Sequence, residues 1–137
     1  RNAWIFANTD MTLDMVSDAP PAMKVIEDVR KVLRGKTVTA YNIAYDMVKF
    51  VFQEPWNMKG EFTLCNDIML AATPVCKVPS EYYGRQYRFP KLAVAHSKLV
   101  EGDPAGIHGT QSHRALSDAQ MASYVMIQMY RDGNYEP

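Results

Sequence analysis

Thr37-Val38-Thr39-Ala40-Tyr41-Asn42-Ile43-Ala44-Tyr45-Asp46 changes character along its length. Residues 37–42 open on a β-branched run and predict the best strand in the chain. From about Tyr45 to Gln53 the pattern predicts a helix, which Pro55 closes. Asn42, Tyr45 and Asp46 therefore fall at a strand-to-helix junction. In α/β folds, sites form at the carboxyl ends of strands. Asp46 there can ligate a metal, or it can simply charge the first turn of the following helix.

Upstream, Met23, Ile26, Val29, Val32 and Leu33 recur at helical spacing, with Lys24, Glu27, Asp28, Arg30 and Lys31 on the other face. Asp18 is the expected cap of this helix, Pro20 and Pro21 suit its first turn, and Gly35 suits its end. Thr12 is the expected N-cap of a short helical turn over residues 12–16. Downstream, Phe62-Thr63-Leu64-Cys65 predicts a second strand and residues 67–72 a short helix. Residues 74–90 read as irregular, residues 91–100 as an amphipathic helix, and residues 101–112 as a loop containing glycine. A long final helix runs from His113 or Arg114 to Tyr130, with Leu116, Met121, Val125 and Met129 among its apolar positions. Alternation of this kind predicts an α/β fold. Two strands make a poor sheet, so further strands are expected, missing at the N-terminal end.

The chain has 137 residues, 47% of them hydrophobic, which suits one globular domain. Fifteen basic residues balance fifteen acidic ones. This excludes a polycationic nucleic-acid coat, though not an enzyme that holds nucleic acid through local charges and cations. No apolar run approaches membrane-spanning length, so no membrane association is expected. Cys65 and Cys76 lack zinc-ligand spacing and read as reduced thiols of a cytoplasmic protein. The first residues have neither an initiator Met nor signal-peptide architecture, so the gene product is expected to begin earlier.

A second group of reactive residues is His113-Arg114-Ala115-Leu116-Ser117-Asp118-Ala119. The interval from His113 to Asp118 straddles a helix start, so both can point into one cleft. A carboxylate that holds a cation and a histidine that takes a proton from water suit phosphodiester hydrolysis. Taken alone, the same residues also fit a solvated histidine and a surface aspartate. Tyr82, Tyr83, Arg85, Tyr87, Arg88 and Phe89 interleave aromatics with cations, a pattern that either stacks on single-stranded bases or packs on the domain. Arg114 can reach a phosphate or face solvent. His96 reads as structural, and His108, in the loop before His113, can substitute for it or assist it.

Taken together, the two groups resemble the DEDDh family of 3′→5′ exonucleases, which includes proofreading subunits of bacterial replicative polymerases and RNA-trimming enzymes. Asn42-x-x-Tyr45-Asp46 is similar to the second motif of that family, and His113 to Asp118 to its third. Residues 11–20 resemble the segment leading into the family's first long helix, and residues 67–71 the segment after the strand that follows the second motif. The resemblance covers residues 9–130. It implies a ribonuclease H-like exonuclease fold, here lacking its N-terminal antiparallel strands, as a single incomplete domain over residues 1–137.

The resemblance further implies two divalent cations, Mg²⁺ or Mn²⁺, held by Asp46 and Asp118. It implies His113 as general base, and Asn42, Tyr45 and Arg114 as substrate-binding residues. The implied partners are a single-stranded DNA or RNA 3′ end, a polymerase or other protein, and a second copy of the chain in a homodimer. The family's first motif, Asp-x-Glu, is absent from the sequence, and Glu101-Gly102-Asp103 is the reverse order in a loop. Its absence and that of the N-terminal strands read as one omission. Two cations about 3.5–4 Å apart need more carboxylates than two, so residues 1–137 alone are expected to have little or no nuclease activity. The competing expectation is a non-catalytic exonuclease-like module that binds nucleic acid or protein.

Overall fold

A computed structural model describes residues 4–102 and 115–137. Its helices are α1 (Trp4–Asn8), α2 (Leu13–Ser17), α3 (Ala22–Leu33), a π-helix (Ala44–Val51), α4 (Ile68–Cys76), α5 (Leu92–Leu99) and α6 (Ala115–Arg131). The strands β1 (Thr37–Val38) and β2 (Thr63–Leu64) pair in parallel, Thr37 opposite Thr63 and Val38 opposite Leu64. The fold is thus α/β, with a small parallel sheet. Among the described residues no helix is long and apolar enough to cross a membrane.

The regular strands are shorter than residues 37–42 and 62–65 suggest, because the backbone soon turns to other partners. Cys65 N–H still donates to Val38 O, and Ile68 N–H to Ala40 O, at 2.9 and 3.2 Å. The Thr39 hydroxyl then donates to Asn66 O at 2.7 Å, and Asn42 turns the chain with φ 82°. Asparagine tolerates this left-handed region better than most residues.

Thr12 caps α2 as expected, its hydroxyl accepting from Met15 N–H. Asp18 does not cap α3. It ends α2 instead, and Pro21 holds the N-cap position of α3 with ψ 135° and no side-chain cap bond. The two prolines keep the backbone extended between Asp18 and Ala22, out of capping reach. Gly35, with φ 67°, takes the turn after α3 as expected. Of the apolar stripe on α3, Ile26 is buried while Met23 and Val32 are exposed. Arg30 and Arg34 tie this helix to Glu61 at 3.3 and 3.0 Å.

The core lies between α4, α5 and α6. Ile68, Ala72 and Cys76 meet Leu92 and Ala95, and then Met121, Ala122, Val125 and Met129. Leu116, expected among the apolar positions of α6, is exposed. Helix α4 continues through Pro74 to Cys76, where the sequence suggests irregular chain. Its buried face spans the proline, and burying Cys76 offsets the hydrogen bond that Pro74 cannot donate. The C-terminal segment is pinned to the chain just after β2, since Tyr135 donates to Asn66 O at 2.7 Å.

Candidate functional site

Asn42, Tyr45 and Asp46 line one wall of a groove of about 810 Å³, and Asp118, Ala119, Ala122, Ser123 and Met126 of α6 line another. The floor and rim come from Thr39–Tyr41, Ile68, Met69 and the segment Phe89–Leu92. Both expected carboxylates therefore face the same cavity, although 71 residues of sequence lie between them. His113 and Arg114 lie outside the described residues, as do His108 and Asp103.

Asp46 is carried by the first turn of the π-helix. The Asn42 carbonyl accepts from Tyr45 N–H at 2.9 Å and Asp46 N–H at 3.2 Å, so the turn fixes where this carboxylate leaves the backbone. At the far end Phe52 N–H bonds Met47 O, the wide spacing of a π-helix. Such turns are rare and concentrate at functional sites. The sequence suggests an ordinary helix here, because π and α geometry draw on the same residue types. Met47 is the buried anchor of this helix.

Asp67 is the functional-site residue that sequence reasoning missed. Its Oδ1 accepts from Met69 N–H at 2.8 Å and Leu70 N–H at 3.3 Å, capping α4. The same carboxylate accepts from Asn42 N–H at 3.2 Å and Ile43 N–H at 2.7 Å. One side chain thus holds together the start of α4 and the turn that presents Asp46. The signal available in sequence is Asp67 just before an apolar run, which announces a cap and nothing more.

The Asp46 carboxyl pKa is raised, by partial burial first and by the negative charge of Asp67 second. Burial disfavours charge of either sign, whereas the second cause places negative charge beside this wall of the groove. A cation placed there would be attracted to it. Among the described residues no group of three or more His, Cys, Asp or Glu side chains gathers to hold a metal ion. Asp46 and Asp118 offer hard oxygen donors, the kind that Mg²⁺ and Mn²⁺ prefer. Mg²⁺ is commonly held by one or two carboxylates with water and substrate phosphate completing its shell. The donors fit such an ion in chemical type.

The other histidine singled out by sequence, His96, is buried in the core edge-on to Tyr124, with ring centroids 6.5 Å apart. Cys65 and Cys76 are both free thiols. Burial raises the Cys76 pKa, and nearby Lys98 partly opposes this. Tyr82 and Tyr83 are exposed rather than packed on the domain.

Over 131 residues, 96% of this chain, the sequence is 26% identical to DNA polymerase III PolC-type of Bacillus subtilis (strain 168). The chain spans 8% of the length of that curated relative. No family model matches the chain, and no solved structure does.

Proposed function

We propose that the chain belongs to a ribonuclease H-like, DEDDh-type exonuclease that shortens DNA or RNA from the 3′ end in the full-length protein, residues 1–137 alone having little or no activity. The observation that carries this reading is the shared groove of Asn42, Tyr45, Asp46 and Asp118. The similarity to a PolC-type DNA polymerase supports nucleic acid as the substrate class and a polymerase as partner.

In this proposal Asp46 and Asp118 hold divalent cations, which when bound would neutralise charge developing on the phosphodiester. Asn42, Tyr45 and Arg114 engage the terminal nucleotide. His113 takes a proton from water as its oxygen attacks phosphorus. The bond from phosphorus to the 3′ oxygen of the preceding nucleotide breaks, that oxygen takes a proton from solvent to become the new 3′ hydroxyl, and a nucleoside 5′-monophosphate is released.

The test uses the full-length protein, Mg²⁺ or Mn²⁺, and oligonucleotides of DNA and RNA labelled at the 5′ end. Stepwise shortening is expected. Loss of about 100-fold or more in rate is expected for Asp46→Ala, Asp118→Ala and His113→Ala. Oligonucleotide binding with no product from the wild-type protein would replace this reading with the non-catalytic module.

A further inference from the structure

The chain between α4 and α5 doubles back as an arm. Pro79 and Tyr87 form an antiparallel bridge. Ser80 N–H donates to Gln86 O at 3.2 Å, and Arg88 N–H to Val78 O at 3.0 Å. Gly84 sits at the tip with φ 79°, a conformation glycine adopts freely. Beside it Tyr82 and Tyr83 are 76% and 107% exposed. Two adjacent rings left in water contribute nothing to the core, so their faces are available to a ligand.

The arm also carries charge. The Arg85 guanidinium lies 4.7 Å from the centroid of the Phe89 ring. Arg85, Arg88 and Lys91 are exposed, and none joins an ion pair among the described residues. Glu81 is the one acid within residues 79–89. The base of the arm is fixed to the groove, because Tyr41 donates its hydroxyl proton to Pro90 O at 2.8 Å. Phe89, Pro90 and Lys91 line the same cavity as Asp46 and Asp118.

We propose that residues 79–91 form a track that delivers single-stranded nucleic acid into the groove, a step that rests on the nuclease reading above for its destination. Tyr82 and Tyr83 stack on bases, while Arg85, Arg88 and Lys91 face phosphates. Aromatic faces alternating with unpaired cations suit a flexible polyanion that carries its own ring systems. An acidic peptide would satisfy the cations and leave the tyrosine faces without stacking partners.

The experiment measures binding of a fluorescent oligothymidylate of about twelve nucleotides to the full-length protein in EDTA, by fluorescence anisotropy. Tyr82→Ala/Tyr83→Ala is expected to weaken binding about tenfold or more, and Tyr82→Phe/Tyr83→Phe to stay within about twofold of wild type. Arg88→Ala is expected to flatten the dependence of log K on log salt by about 0.7. Hydrolysis of the p-nitrophenyl ester of thymidine 5′-monophosphate with Mn²⁺ is measured in parallel, since so small a substrate needs no track. Weaker oligonucleotide binding by the alanine variant, with the ester untouched by every protein, would sustain the track and sink the nuclease reading. Equal oligonucleotide affinity in wild type and alanine variant, with the ester cleaved by both, would overturn the track and leave the nuclease standing. Poly-glutamate displacing the oligonucleotide better than unlabelled oligothymidylate would also overturn it.

Discussion

Replacing Asp67 tests whether one carboxylate holds the candidate site together. Its two oxygens accept four backbone N–H bonds, from Asn42, Ile43, Met69 and Leu70. Asp67→Asn keeps the shape and removes one acceptor. With the amide oxygen in the Oδ1 position, three bonds survive on a neutral acceptor, and the NH₂ group confronts Ile43 N–H. A lost hydrogen bond to a charged group costs about 1.5–3 kcal/mol. Asp67→Ala loses the cap, about 0.5–2 kcal/mol, and leaves the Asn42 and Ile43 donors unmatched, for about 3–5 kcal/mol in all. Domains hold only about 5–15 kcal/mol of stability. At about 3–5 °C per kcal/mol for a chain of this size, Asn should lower Tm by about 5–15 °C and Ala by about 9–25 °C. Asp67→Ser separates the two roles, because a serine caps α4 but is too short to bridge to the turn. Its Tm, read by circular dichroism on the full-length protein, should fall between those of the alanine variant and wild type. A serine variant as stable as wild type would show that the bonds to Asn42 and Ile43 contribute nothing. The reasoning about the turn would then fail.

Asn42→Ala should cost about 1–2 kcal/mol and Asn42→Gly much less, because φ is 82° at this position; equal urea midpoints for the two would contradict this. Tyr41→Phe should lose about 1 kcal/mol with the bond to Pro90 O, read as a shift in Tm. The folded-state pKa of Cys76 is raised, so its protonated thiol adds stability that is complete below the unfolded pKa of about 8.5. That contribution is lost as pH rises through the folded-state value. The stability advantage of wild type over Cys76→Ala should therefore shrink above about pH 9 in urea titrations, and a widening gap would reverse the sign.

The parts of this fold that could be read from sequence are those specified locally. Thr37-Val38 and Thr63-Leu64 announce strands because β-branched residues fit a pleated surface. Thr12 announces a cap because its hydroxyl reaches only a few residues ahead. The misreadings arise where a residue's own chemistry is overruled by its neighbours in the chain or by packing. Asp18 has the chemistry of a helix cap, yet the extended Pro20-Pro21 backbone carries the next helix start away from it. Pro74 has the chemistry of a helix breaker, yet Ile68, Ala72 and Cys76 bury a continuous face across it. Met23 and Val32 have helical periodicity, yet only Ile26 of that stripe finds a fully buried place.

The candidate site divides along the same line. Asn42, Tyr45, Asp46 and Asp118 stand out through the family resemblance of their motifs, and all four line the groove. Spacing alone gave no sign of Asp67, because its work is to join the start of α4 to Asn42 and Ile43, which lie 25 and 24 residues before it in sequence. A carboxylate engaged by four N–H groups fixes geometry, and in the same position its charge adds to the upward shift of the Asp46 pKa that burial causes first. Asp67 therefore contributes to both positioning and electrostatics. Neutralising Asp67 should loosen the turn and relieve Asp46 of a repelling charge together. A variant that did only one of these would show that the two effects have separate sources.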